Sequence, residues 1–216
     1  MSKVQTKIKI KICGLKSIKE VICTAESGAD WYGMIFVKSS SRNISFKKAK
    51  TLIDSTPVSL KPVAVLANPS LVIIRELFNM GIRNLQLHGS ETVGFCKKIK
   101  TIFNVNIIKA INLKVVEDLQ LVNKYREIVD WVLFDYKDEQ SLGGTGKCFN
   151  WEILRDKKLK YNWILSGGLD YNNIKNAIKV TGAQAIDVSS GVEIDKGVKS
   201  IELIRKFCNT VKKLDK

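Results

Sequence analysis

A lysine–isoleucine alternation, "KIKIKIC" at 7–13, carries a thiol to its carboxyl end, and an apolar run, "DWVLFD" at 130–135, carries a carboxyl group to its own. A thiolate can serve as nucleophile or base and a carboxylic acid can donate a proton. Together Cys13 and Asp135 therefore suit a reaction that takes one proton off carbon and puts another onto oxygen. Single cysteines are most often small core hydrophobes, so the face on which this one falls matters. Lys7, Lys9, Lys11 and Cys13 share one side of the strand, and Ile8, Ile10 and Ile12 share the other. The isoleucines suit a layer of helices, which turns the thiol inward, and Lys11, two residues below it, would favour the thiolate while it keeps its charge. Gly14 follows at once, where backbone or ligand can come close. A carboxylate ending an apolar strand is costly unless paired or used. Use is the reading taken for Asp135, as a general acid if its surroundings raise its pKa.

Three further groups could hold an anionic ligand. Gly167 and Gly168 in "LSGGLDYNNIKNAI", and Ser189, Ser190 and Gly191 in "AIDVSSGVE", follow the last two predicted strands. Backbone N–H groups beside glycine, serine hydroxyls and a short helix N-terminus can converge there on a phosphate. Arg42 in "SSSRNIS" is the only arginine near the carboxyl end of a predicted strand, and arginine grips carboxylates bidentately or stacks on rings. A third Gly-rich stretch, "SLGGTGK", is not a nucleotide-binding loop, because Ser141 stands where the first glycine belongs and Cys148 where Ser or Thr should follow the lysine. It reads instead as a lid after the sixth strand.

Composition removes several alternatives. The 216 residues include one histidine, His88, and five scattered cysteines with no C-x-x-C pair. That disfavours a His-built metal site, a histidine-based triad and a disulfide framework, and it points to free thiols in a reducing compartment. No apolar run reaches the ~20 residues that span a bilayer and the N-terminus lacks a signal-peptide core, so the expectation is a soluble, cytoplasmic protein with no membrane partner. The net charge of +15 would attract phosphates. Because the lysines are dispersed, without a basic tract or aromatic interleaving, a small anionic substrate is expected rather than nucleic acid.

The elements that must position these groups repeat along the chain. Strands are predicted near 7–12, 31–36, 62–66, 84–87, 106–110, 130–135, 162–166 and 184–188, and segments with apolar residues three or four apart lie between them. Gly28, Gly81 and Gly182 follow helical stretches where a left-handed cap is expected. Eight such units at roughly 20–30-residue spacing predict one α/β domain over 1–216, a (β/α)8 TIM barrel, with active-site groups at the carboxyl ends of the strands. A doubly wound sheet would need the G-x-G-x-x-G fingerprint after the first strand, which is absent.

The segments "KICG", "GADWYGMIF" with "SSSRNIS", "LQLHGSE", "KAI", "LFD" with "GGTGKCFNW", "ILSGGL" with "NNIKNAI", and "IDVSSGVE" with "GVKS" occur in the order of one family. The chain resembles phosphoribosylanthranilate isomerase of tryptophan biosynthesis. That resemblance implies a cofactor-free Amadori rearrangement of N-(5-phosphoribosyl)anthranilate to 1-(2-carboxyphenylamino)-1-deoxyribulose 5-phosphate. By the same resemblance Cys13 is the base at ribose C2 and Asp135 the acid at the ring oxygen. Arg42 holds the anthranilate moiety, Asp187 lies near the sugar hydroxyls, and Gly167, Gly168, Ser189, Ser190 and Gly191 hold the phosphate, in a monomer or homodimer. His88 and Gln86 fall in the fourth-strand segment, where His88 is given no proton-transfer role. The chain departs from the family at Ser41 and Lys196, where proline is usual, and at Lys16, commonly threonine. The related barrel isomerase of histidine biosynthesis resembles a two-aspartate design, against which Cys13 argues. A non-catalytic nucleic-acid-binding barrel would leave Cys13 and Asp135 unexplained.

Overall fold

The structure, a computed structural model, describes residues 7–135, 151–157 and 159–214. Eight parallel strands close into a barrel in chain order: β1 (Lys9–Cys13), β2 (Trp31–Ile35), β3 (Lys61–Leu66), β4 (Asn84–Leu87), β5 (Asn106–Asn112), β6 (Trp131–Asp135), β7 (Trp163–Leu165) and β8 (Ala185–Val188). Closure is made by β1 against β8, with Lys11 opposite Asp187 and Ile12 opposite Val188. Every strand predicted from the sequence is present, within two residues at its ends.

The alternation along β1 sorts residues as the pleat requires. Ile8, Ile10 and Ile12 join the large apolar layer between barrel and helices. The lumen has its own smaller core of Trp31, Val63, Ile108, Ala110, Leu133, Ile164 and Ala185, with Trp131 packed on it. Lys9 lies over both tryptophan rings at the amino-terminal end, 5.4 and 4.9 Å from their centroids. A filled lumen leaves chemistry only at its carboxyl-terminal mouth.

The outer ring contains α1 (Ile18–Glu26), α2 (Phe46–Asp54), α3 (Leu71–Asn79), α4 (Val93–Phe103), α5 (Leu119–Tyr125), α6 (Ile174–Thr181) and α7 (Ile201–Lys212). Ser17, Ser45, Ser70, Thr92 and Ser200 cap five of these, each side chain accepting from a backbone N–H in the first turn. Each such cap stabilises its helix by about 1 kcal/mol. Gly182 ends α6 in the left-handed conformation expected of it. Between β6 and β7 the described residues form only a 3-10 turn, Trp151–Leu154. The "SLGGTGK" segment and Cys148 lie outside the described residues. Cys13, Cys23, Cys96 and Cys208 are buried free thiols. Among the described residues no helix is long and apolar enough to cross a membrane.

Candidate active site

Cys13 ends β1 in register with Gly33 of β2. A Cβ at residue 33 would sit 2.7 Å from the Cys13 Sγ and 3.3 Å from the Lys11 Nζ, so the thiol and the ammonium occupy the space that any other residue would fill. Lys11 is wholly buried and pairs with Asp187 at 3.0 Å. Burial acts to lower the Lys11 pKa, but Asp187 and the thiol outweigh it and hold the ammonium protonated. Burial raises the Asp187 carboxyl against the pull of Lys11.

The expectation that Lys11 would favour the Cys13 thiolate needs correction. Burial pushes the thiol above its usual value, and Asp187 pushes the same way, so that the pulls of Lys11 and Lys199 are outweighed. A lysine already paired with a carboxylate stabilises a neighbouring anion much less than a lone one would.

Asp135 ends β6, and its carboxyl is paired. Its Oδ2 lies 3.2 Å from the Nε2 of His88. The amide nitrogen of Gln86 approaches the other ring nitrogen at 3.3 Å. With that amide donating to Nδ1, the imidazole carries its proton on Nε2 and donates it to Asp135. His88 is thus tied to the candidate acid. Its loop is fixed from below by Glu91, which accepts from the N–H groups of Asn68 and Gly89 and pairs with buried Lys109 at 3.0 Å. Lys109 also donates to the carbonyls of Leu87 and Gly89. Asp135 and His88 both influence the Asp187 carboxyl, so the β4, β6 and β8 ends share one mouth with Cys13.

Arg42 reaches the same mouth, its stem crossing Gly14, where a Cβ would stand 2.7 Å from the Arg42 Cδ. Its guanidinium is already engaged. Nε and Nη2 donate to the two carboxyl oxygens of Glu193 at 2.6 and 2.7 Å. Glu193 opens a hairpin of β9 (Glu193–Asp195) and β10 (Val198–Lys199), and Lys199 donates to it at 2.7 Å. Burial acts to raise the Glu193 carboxyl, yet the Arg42 and Lys199 hydrogen bonds hold it down at about 2.

The two loops read as a phosphate grip also meet here. Gly167 and Gly168 take positive φ values of 89° and 68°, a turn that a side chain would strain. Asp170 bridges to Gly191, which joins the loop after β7 to the loop after β8. The Ser189 hydroxyl donates to the Cys13 carbonyl at 3.1 Å, and Lys199 donates to the Ser189 carbonyl at 2.8 Å. After Ser189, Ser190 and Gly191 the chain enters the β9–β10 hairpin, whose Lys199 brings a cation to this loop.

The sequence reading missed Glu193, Lys199 and Gly33, although all three stand in quoted segments. A glycine inside a strand of bulky residues marks a close approach, and that signal was available for Gly33. Nothing in the spacing tells that Glu193 and Arg42 meet across 151 positions. Two clefts of about 490 and 280 Å³, one lined by Arg126, Asp130, Lys160 and Tyr161, lie at the amino-terminal ends of β6 and β7. None of the groups above lines either cleft, so they are not where proton transfer would occur.

Residues 10–210 match the family model described as N-(5'phosphoribosyl)anthranilate (PRA) isomerase. The chain is 35% identical to N-(5'-phosphoribosyl)anthranilate isomerase of Zymomonas mobilis subsp. mobilis, over 96% of this chain and 99% of that one. It is 35% identical to the enzyme of the same name from Thermotoga neapolitana, over 96% and 100%. The solved phosphoribosyl anthranilate isomerase from Thermotoga maritima superimposes with a TM-score of 0.87 at 32% identity, covering 95% of this chain and 99% of that one. A solved phosphoribosyl anthranilate isomerase in complex with reduced 1-(o-carboxyphenylamino)-1-deoxyribulose 5-phosphate gives 0.82 at 31% identity, with the same coverage.

Proposed function

The chain belongs to the N-(5'-phosphoribosyl)anthranilate isomerase family, and from that premise we propose that Cys13 and Asp135 carry its reaction in tryptophan biosynthesis. The observation that supports this most is the barrel mouth itself: a thiol on β1 and a carboxyl on β6 share a site with the buried Lys11–Asp187 pair. Asp135, oriented by His88, donates a proton to the furanose ring oxygen. The C1–O bond breaks and the anilino nitrogen forms a protonated Schiff base with C1. That cation acidifies the C2–H bond, and the Cys13 thiolate removes the proton. The electron pair neutralises the nitrogen, and the resulting enolamine tautomerises to the aminoketose. No oxidant or reductant is needed, since oxidation at C2 balances reduction at C1.

A thiol raised by burial makes a strong base once ionised, because a buried thiolate binds a proton more tightly than an exposed one. Arg42 grips the anthranilate carboxylate, and Asp187 faces the sugar hydroxyls. Gly167, Gly168, Ser189, Ser190 and Gly191 hold the phosphate. Residues 1–216 form one catalytic domain, in line with the match over 10–210. The protein acts as a monomer or a homodimer, the second supported by a solved relative described as dimeric.

The test is conversion of freshly generated phosphoribosylanthranilate by protein treated with a chelator, followed through the loss of anthranilate fluorescence. Turnover at the untreated rate is expected. Failure of the folded protein to convert it would overturn the assignment.

A further inference from the structure

The Glu193 carboxylate meets four donors. Oε1 accepts from Arg42 Nε at 2.6 Å and from Lys199 Nζ at 2.7 Å. Oε2 accepts from Arg42 Nη2 at 2.7 Å and from the Gly197 N–H at 3.1 Å. A carboxylate offers about four lone-pair positions, so this one is saturated and has none left for a substrate hydroxyl. Held at about 2, it also stays anionic throughout the working range and takes no part in proton transfer. Both ordinary roles of a carboxylate at an active site, binding substrate and moving protons, are closed to it.

What the geometry leaves is its effect on Arg42. A guanidinium has five N–H donors along edges that each match a carboxylate. Glu193 takes the Nε/Nη2 edge. The adjacent edge, built from Nη1 and the second Nη2 proton, is the one on which a second carboxylate can be received. We propose that Glu193 is a positioning residue that holds Arg42 with this second edge set to receive the carboxylate on the substrate's aromatic ring. The proposal rests on the reading that Arg42 grips that carboxylate.

The same network reaches the other end of the substrate. Lys199, buried between Glu193 and Ser189, bonds both the carboxylate and the Ser189 carbonyl and hydroxyl. Glu193 therefore ties the arginine after β2 to the loop read as the phosphate grip. Gly197 makes this possible at the hairpin tip. Its φ is +79°, and a Cβ there would stand 2.9 Å from the Ser41 carbonyl, so the tip lies directly on the loop that carries Arg42. Without Glu193, Arg42 would have to be immobilised by each substrate molecule as it binds. Ordering one long side chain on binding lowers affinity by roughly two- to tenfold.

Four proteins test this: wild type, Arg42→Ala, Glu193→Gln and the double variant, with kcat and KM read from fluorescence loss. Arg42→Ala should raise KM by at least about tenfold and Glu193→Gln by about two- to tenfold, with kcat changed less than about threefold, because binding rather than proton transfer is affected. The double variant should raise KM by much less than the product of the two single effects, since Glu193 acts on the substrate carboxylate through Arg42. KM effects that multiply in the double variant would overturn the proposal and leave Glu193 a merely structural role in its hairpin. Should Glu193→Gln fail to fold, Glu193→Asp keeps the charge beside Lys199 but is too short to span both partners. It should raise KM in the same way, and wild-type KM in that variant would overturn the proposal. An unchanged KM in Arg42→Ala would instead refute the Arg42 reading on which the proposal stands.

Discussion

Replacing Gly33 by alanine adds one methyl group to the floor of the site. That Cβ would stand 2.7 Å from the Cys13 Sγ, 3.2 Å from the Cys13 Cα and 3.3 Å from the Lys11 Nζ. Comfortable non-bonded contact needs about 3.5–4.0 Å, so the thiol must retreat by about 1 Å. Gly33 lies in β2, in register with Cys13, so the strands cannot part without breaking the closed ladder. Overpacking of this kind destabilises by about 1–3 kcal/mol, which a protein of this size tolerates. A misplacement of about 1 Å in a reacting group slows chemistry by about 10²-fold. Gly33→Ala should therefore fold, unfold at somewhat lower urea, and lose about a hundredfold in kcat when fluorescence loss is followed at saturating substrate. A folded variant within threefold of the wild-type kcat would refute the view that Gly33 sets the position of the thiol.

Other consequences follow from the charges. Because burial raises the Cys13 thiol above its ordinary 9.0, the ultraviolet thiolate absorbance that wild type shows and Cys13→Ser lacks should be absent at about pH 7 and emerge only above about pH 9. A Cys13 thiolate signal already present at neutral pH would contradict that direction. Glu193 is depressed in the folded state, so its contribution to stability is full above its unfolded value near 4.5 and is lost as pH falls through about 2. Acid unfolding of Glu193→Gln should accordingly show a shallower dependence between those limits than wild type. Lys109→Met leaves the Glu91 carboxylate buried and unpaired, which should cost about 3–5 kcal/mol in a urea titration. A loss below about 1 kcal/mol would mean the pair behaves like an exposed one.

The barrel was legible because its signals are local. The Lys–Ile alternation of β1, the capping serines and the glycine ending α6 each act within a few residues. Cys13 and Asp135 were legible for the same reason, since strand direction alone carries a terminal side chain to the mouth. The electrostatics were not. In the sequence Lys11 stands alone beneath the thiol, whereas closure of the barrel brings Asp187 opposite it, and that pairing with burial reverses the expected direction for Cys13. Arg42 read as an open fork because its partner Glu193 comes from the other end of the chain. The hairpin that presents Glu193 is two short strands with a register shift, too small to stand out in a residue pattern.

The most direct test of the account compares wild type, Cys13→Ser and Asp135→Asn for loss of phosphoribosylanthranilate fluorescence at saturating substrate. Removing a proton-transfer group should lower kcat by about 10²–10⁴-fold while substrate still binds. Both variants should therefore hold the fluorescent substrate without consuming it. Turnover by Cys13→Ser at the wild-type rate would contradict the assignment of the base, and turnover by Asp135→Asn that of the acid.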